Sequence, residues 1–156
     1  MNKDSFRIRD CLRSDLENVC QIEKVVFGTI EAIPRIAFTQ YFDLFAPTFV
    51  VAESLHHVFG FSVGGIAIDN QVRLGWLLDI AILPGYQGSG IGRAMSQCIV
   101  DRLIQNGVTR VLATVAPENE RSLKMLKKIR FQVIDDIPDY FGAGQSRLLM
   151  ELKCEI

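Results

Sequence analysis

Between an apolar run that ends at Pro84 and a segment of helical periodicity, the chain reads Gln87-Gly88-Ser89-Gly90-Ile91-Gly92-Arg93, with glycine at three alternate positions. The chemistry this suits is anion binding. The first backbone N–H groups of a helix have no partners within it, and the helix dipole favours negative charge at that end. Glycine is costly in chain entropy. Gly88, Gly90 and Gly92 would leave those N–H groups uncovered, so that a phosphate rests directly on the backbone. The competing reading is a tight left-handed turn with no ligand, for which one glycine would be enough.

Three phosphate motifs can be set against the loop. A P-loop requires G-x-x-x-x-G-K-[ST], but Gly90 is followed by Ile91 and Gly92, with no lysine or hydroxyl in place. A Rossmann fingerprint requires G-x-G-x-x-G and an acid about 20 residues on; here the spacing is G-x-G-x-G and the next strand ends at Thr114 without an acid. The third motif, Q-x-x-G-x-G/A, cradles the pyrophosphate of coenzyme A. Gln87 to Gly92 meets it at each defined position. No metal chemistry competes: Cys11, Cys20, Cys98 and Cys154 form no C-x-x-C pair, and His56 and His57 are neighbours near a turn. No ligand set is visible. The cysteines are expected to be reduced thiols and the histidines surface turn residues.

The elements that position the loop can be read from periodicity and turn chemistry. Phe6–Arg9 alternates as a first strand. Ser14-Asp15-Leu16-Glu17 has the form of a capping box. Leu16, Val19, Cys20, Glu23 and Val26 continue at helical spacing, giving a helix over about 15–27. Pro34 opens a second helix that runs to about Phe45. Strands follow at 48–53, 58–67 and 73–83 with no helix between them, an antiparallel meander with Asp69-Asn70-Gln71 as a turn and a bulge at Gly64 or Gly75. After the glycine loop, Ile91, Ala94, Met95, Cys98, Ile99 and Leu103 make one apolar helix face, stopped at Asn106-Gly107. Arg110–Val115 follows that helix and should lie parallel to the strand ending at Leu83. A helix from Pro117-Glu118-Asn119-Glu120 carries acids at its start and Lys124, Lys127 and Lys128 near its end, as the helix dipole favours. Glu118 is read as one of these dipole charges. Strands at 131–134 and 147–153 close the chain. The expected fold is α+β, a mixed, mostly antiparallel sheet with one parallel pair.

With 156 residues, 49% of them hydrophobic and 22% charged, the chain suits one domain over 1–156 with a sizeable core. A formal net charge of −1 argues against nucleic-acid backbone as the main partner. The polar start Met1–Ser5 and the absence of a membrane-length apolar run predict no secretory signal, no membrane partner and a cytoplasmic protein.

The chain resembles the GCN5-related N-acetyltransferase family over nearly its whole length. The resemblance rests on Leu78–Pro84 as the strand before the loop, on Gln87–Gly92, and on Asn119–Phe131, which is similar to the family's N-x-x-A-x-x-L-Y-x-K-x-G-F segment. It implies a GNAT-like sheet with helices on both faces and one splayed strand pair. It also implies acetyl-coenzyme A as co-substrate, held by a loop that Gln87 opens, with the pyrophosphate on the N–H groups of Gly88, Ser89, Gly90, Ile91, Gly92 and Arg93. The pantetheine arm would lie along Ile80, Ala81 and Ile82, and Asn119 would reach it. The reaction implied is acetyl transfer to a primary amine, on a peptide N-terminus or a small molecule, by a monomer or homodimer without metal.

Departures from the pattern bear on catalysis. The family's frequent tyrosine acid is Leu126 here, the glutamate base of ribosomal-protein alanine acetyltransferases is Thr114, and the glycine before the final Phe is Arg130. Two replacements stand out. Tyr140, in Pro138-Asp139-Tyr140-Phe141, resembles the P-x-Y-Y segment of N-terminal acetyltransferases and is a candidate acid or acceptor contact, or else a half-buried anchor. Asp79 is a candidate base, or else a structural carboxylate. A coenzyme A-binding sensor without catalysis is the alternative that Leu126 keeps open.

Overall fold

The computed structural model describes residues 5–154; the polar Met1–Asp4 and the last two residues of the expected 1–156 domain lie outside them. The strands are β1 (Arg7–Asp10), β2 (Phe49–Ser54), β3 (His57–Asp69), β4 (Val72–Ile82), β5 (Arg110–Val115), β6 (Gln132–Ile137) and β7 (Arg147–Lys153). The helices are α1 (Leu16–Glu31), α2 (Arg35–Phe45), α3 (Ile91–Gln105) and α4 (Glu120–Lys128). One sheet runs β1-β2-β3-β4-β5-β7-β6. Every pair in it is antiparallel except β4–β5. The sequence-based order of elements and the α+β class hold. Among the described residues, no helix is long and apolar enough to cross a membrane.

Some local expectations are corrected. Ser14 does not form a capping box; it lies in a 3₁₀ turn, Arg13–Asp15. Asp15 does the work instead, accepting the Leu12 N–H at 2.7 Å and Arg9 Nη1 at 2.7 Å. The first helix continues past Phe27, but Gly28 (φ 78°, ψ 165°) interrupts it at that point. Both short hairpins turn on side-chain-bearing residues in the left-handed region, Leu55-His56 and Asn70-Gln71, as two-residue loops require. Arg130, where the family has glycine, keeps the glycine conformation at φ 74°. Its N–H bonds Lys127 O and the Phe131 N–H bonds Leu126 O, which is the Schellman closure of a helix end.

The sheet has a core on each face. On one, Leu77, Ile82, Met95, Ile99, Leu103, Leu126 and Met150 pack beneath α3 and α4. On the other, Leu16, Val19, Ile22, Phe38, Phe61, Val63 and Ala81 pack beneath α1 and α2. Burying such side chains contributes about 1.5–3 kcal/mol each. Phe38 meets Phe61 edge-on at 5.2 Å.

The feature that shapes the site is a bulge. Val63 pairs with Asp79 but Gly64 pairs with Leu77, so Leu78 is an extra residue in β4. Strand residues alternate in face. Here the bulge breaks the alternation, and Leu77 enters the α3 core while Asp79, opposite Val63, falls on the α1 side. Gly64 was one of the two expected bulge positions, and the geometry shows why glycine is needed. A Cβ there would stand 2.5 Å from Ile99 Cγ2 and 2.9 Å from Trp76 O. Gly64→Ala is expected to cost about 1–3 kcal/mol by overpacking, read as a lower denaturation midpoint with an unchanged slope. An unchanged midpoint would show that the backbone beside the bulge has slack.

Candidate active site

β4 and β5 pair only over Leu74–Leu77 and Arg110–Ala113. Beyond the bulge, Asp79–Ile82 stay paired with β3 and part from β5. The Leu83 N–H donates to Phe59 O at 2.9 Å. By alternation, the N–H and C=O groups of Ala81 also face β3, and those of Ile80 and Ile82 face the gap. The result is a wedge between two parallel strands, lined on one side by backbone that β5 leaves unpaired.

The glycine loop closes the end of this wedge. Pro84–Tyr86 forms a 3₁₀ turn. Tyr86 stacks on Phe59 at 4.0 Å with planes 7° apart, which anchors the turn to the core. Gly88 (φ 84°) and Gly90 (φ 82°) are both left-handed, and nothing stands within 4 Å of where their Cβ atoms would be. Gly92 has another role: its Cβ would come within 3.3 Å of Ile82 Cδ1, so it lets the helix approach β4. Two of the three glycines therefore serve the turn. No side chain caps α3. The Ala94 N–H makes the first bond back to Gly90 O, leaving the N–H groups of Ile91, Gly92 and Arg93 without partners from the helix.

Gln87 does not point outward to a ligand. Its Nε2 donates to Ile82 O at 2.7 Å and its Oε1 accepts from Arg121 Nη1, tying the loop to β4 and α4. Asn119 is the N-cap of α4, and its Oδ1 accepts the Ser122 N–H at 3.1 Å. Only its NH₂ is left to reach outward. Leu126 is buried in the α3 core.

On the α1 side of the wedge Asp79 meets a residue that its sequence neighbours do not announce. Glu23 projects from α1 and is 2% exposed. Its Oε1 accepts the Ile33 N–H at 2.9 Å. Among the described residues, neither Glu23 Oε2 nor Asp79 Oδ2 has a donor partner. Burial raises the Asp79 carboxyl well above the usual carboxylate range, and Glu23 raises it further, against a smaller lowering by the Ile80 N–H. Burial likewise raises Glu23, partly offset by the Ile33 N–H and by its bond with Asp79. The charge of either carboxyl disfavours ionisation of the other, which favours a single proton held by the pair. Tyr41 of α2 stands by; burial raises its hydroxyl pKa, and the charges of Asp79 and Glu23 add to the effect. Tyr140 lies elsewhere, in the β6–β7 loop. It is 38% exposed, edge-on to Phe141 at 4.6 Å, and no hydrogen bond joins it to Asp79.

Comparison with known proteins gives the arrangement a context. The family model described as "Acetyltransferase (GNAT) family" matches residues 16–131. An N-alpha-acetyltransferase of Sulfurisphaera tokodaii is 23% identical over 154 residues, which is 93% of this chain and 91% of that protein. An L-2,4-diaminobutyric acid acetyltransferase of Nocardia farcinica is 31% identical over 85 residues, 54% of this chain and 44% of that protein. Among solved structures, Arabidopsis thaliana Naa50 in complex with the bisubstrate analogue CoA-Ac-MVNAL superposes with a TM-score of 0.83 at 15% identity, covering 96% of this chain and 99% of that one.

The shared proton has a measurable consequence for stability. Between the ordinary carboxylate range and the raised value of the pair, the folded chain keeps a proton that the unfolded chain has lost. Stability therefore falls as pH rises through that window. Asp15 and Glu53 act in the opposite sense at lower pH. Asp15 is lifted by burial but lowered more by Arg9 and the Leu12 N–H, and Glu53 is lowered by Arg9 and Arg7. Asp79→Asn is expected to raise the melting temperature at neutral pH and flatten its decline as pH rises above the ordinary carboxylate range. A slope equal to that of the wild type would mean that the pair holds no extra proton.

Proposed function

This chain belongs to the acetyltransferase (GNAT) family, and from that premise we propose that it transfers the acetyl group of acetyl-coenzyme A to a primary amine, with the N-terminus of a peptide or protein as acceptor. The observation that carries the reading is the pairing of the Glu23 and Asp79 carboxyls beside the gap where β4 parts from β5. The similarity to an N-alpha-acetyltransferase over nearly the full length of both chains favours a peptide acceptor. The shorter match to a diaminobutyric acid acetyltransferase is what speaks for a small amine. Leu126 in place of a tyrosine is the observation on the side of a sensor without catalysis, and the carboxyl pair weighs against it.

The site's residues fit the cofactor. The N–H groups of Gly88 to Arg93 would hold the pyrophosphate, with the dipole of α3 behind them. Ile80 would pair with the pantetheine amides as an edge strand does. Ile82 would offer only its N–H, since Gln87 occupies its carbonyl; Gln87 is thus a positioning residue. Asn119 would donate from its NH₂ group, its oxygen being engaged at the cap. When bound, the thioester supplies the acyl group and a thiolate leaving group. A backbone N–H of Ile80 or Ile82 faces the gap where the acyl oxygen would develop charge, and a donor in that position is worth about 10²–10³ in rate.

An α-amine, with a pKa near 8, is largely protonated at neutral pH and must lose a proton to attack. The carboxyl pair is suited to this. The incoming ammonium takes the place of the shared proton, which passes to solvent. Asp79 takes one proton from the ammonium, which restores the one-proton pair and frees the lone pair that attacks the thioester carbonyl; the second proton leaves the nitrogen as the C–S bond breaks and ends on the thiolate. Mutual repulsion of two bare carboxylates makes Asp79 a better base than an isolated one. Tyr140, on the β6–β7 loop, is proposed to contact the acceptor or to give a proton to the departing thiolate.

The test is binding and turnover together. Acetyl-coenzyme A at about 100 times its dissociation constant is expected to stabilise the fold by roughly 2.7 kcal/mol. Gly90→Val, which puts a branched side chain at φ 82°, should abolish that shift. Asp79→Asn should keep it while turnover on a peptide amine falls by about 10²-fold or more. A wild-type chain that binds the cofactor but acetylates no amine on a broad panel would return the reading to a sensor.

A further inference from the structure

We propose that Arg147 receives a carboxylate of the acceptor, so that the preferred acceptors are peptide N-termini with an acidic side chain at the second or third residue. The proposal rests on the acetyl-transfer reading above.

Arg147 opens β7, which pairs with β5 so that Leu148 faces Val115 and Leu149 faces Thr114. Met150 and Leu152 point into the α3 core. By alternation Arg147, Leu149 and Glu151 lie on the opposite face, the one on which Asp79 meets Glu23. The helices of that face, α1 and α2, pack on β2, β3 and β4. Past β4 the floor of the cleft is thus formed by Thr114 and Leu149, with Arg147 at the end where β4 and β5 have parted.

The guanidinium of Arg147 is held in place but not neutralised. It lies over the Phe141 ring at 4.9 Å. Nη1 donates to Ser146 O at 2.8 Å, and Nη2 to Gln145 Oε1 at 3.5 Å. A guanidinium has five N–H donors, so most of the fork is unspent. Among the described residues no carboxylate lies within 4.0 Å of it, whereas Arg7, Arg9, Arg13, Arg35, Arg102 and Arg110 all have acidic partners. The acids nearest in sequence are already engaged. Asp139 Oδ1 accepts the Gly144 N–H at 2.7 Å, and Glu151 is bound by Arg110 at 2.5 Å. A half-buried cation, stacked and pre-oriented, with no carboxylate among the described residues within 4.0 Å, is suited to bidentate capture of a carboxylate from outside.

Spacing selects the class of acceptor. Two strand spacings separate β4 from β7, about 10 Å where the strands are paired and more across the gap. Extended chain covers about 3.3–3.6 Å per residue. An amine at Asp79 and a carboxylate at Arg147 therefore belong to different residues of one extended peptide. A free α-amino acid is too short to touch both.

The experiment measures kcat/KM with acetyl-coenzyme A for a set of short peptides that share a first residue and carry Asp, Asn or Lys at position two or three. A free amino acid and its amide are included. Wild type should prefer Asp over Asn by about 10–100-fold, the scale of a charge-assisted hydrogen bond, and the preference should reside in KM. Arg147→Ala should bring the Asp-to-Asn ratio close to one. Arg147→Glu should invert the order, with Lys above Asp. Melting curves of both variants establish that they are folded. A wild-type ratio near one, or a ratio that survives Arg147→Ala, overturns this proposal while leaving acetyl transfer intact. A preference for the free amino acid over its amide that depends on Arg147 overturns the peptide assignment. Absence of transfer to every amine, with the cofactor bound, contradicts the acetyl-transfer reading itself and this proposal with it.

Discussion

One inserted residue, Leu78, governs the working parts of this chain. Without the bulge, Leu77, Asp79 and Ala81 would share a face, and the acid would compete with leucine for the α3 core. With it, Leu77 stays in that core and Asp79 turns toward α1. The β4–β5 pairing stops at the same point, at Leu77. The position of the acid and the opening of the gap thus have a common origin. Gly64 permits it, since a side chain there would strike Ile99 and the Trp76 carbonyl.

The two faces of the sheet then hold opposite charge preferences. Toward α3, uncapped N–H groups and a helix dipole offer partial positive charge at the end of the gap. Toward α1, the buried Glu23 and the half-buried Asp79 offer negative charge when they ionise. Neither arrangement favours the fold. Buried carboxyl oxygens without donors and left-handed backbone are costs in the free protein, and the cores must offset them. Glu23 is not loose, however. The Ile33 N–H holds it from the far side of the Gly28 break, so the connection between α1 and α2 is fastened to the acid it surrounds.

Much of this was legible in the sequence, for identifiable reasons. Helix α3 and its glycine start are written in local periodicity and turn chemistry, and the parallel placement of β5 follows from a helix standing between two strands. Gly64 marked the bulge because glycine inside a strand usually means close backbone approach. What local pattern could not supply was contact across elements. Glu23 sat in the apolar stripe Leu16, Val19, Cys20, Val26; an acid at such a position was the available signal, and its partner 56 positions on was not visible. Ser14 misled because a capping box competes with any nearby carboxylate, and Asp15 had a better use for its own with Arg9. The motif named Gln87 but not its task, since its partners Ile82 and Arg121 lie on other elements. Tyr140 stood out through resemblance alone, and it lies apart from the carboxyl pair.

The central claim is that the gap between β4 and β5 is where the cofactor lies. Residue-resolved amide hydrogen exchange, with and without saturating acetyl-coenzyme A, tests it directly. The account predicts slowed exchange at Ile80 and at Gly90 to Arg93, whose N–H groups face the gap or the helix end. Leu83, already bonded to Phe59, should change little. Saturation of the chain with cofactor while Ile80 and the Gly90–Arg93 amides exchange as before would contradict the claim and place the cofactor elsewhere on the molecule.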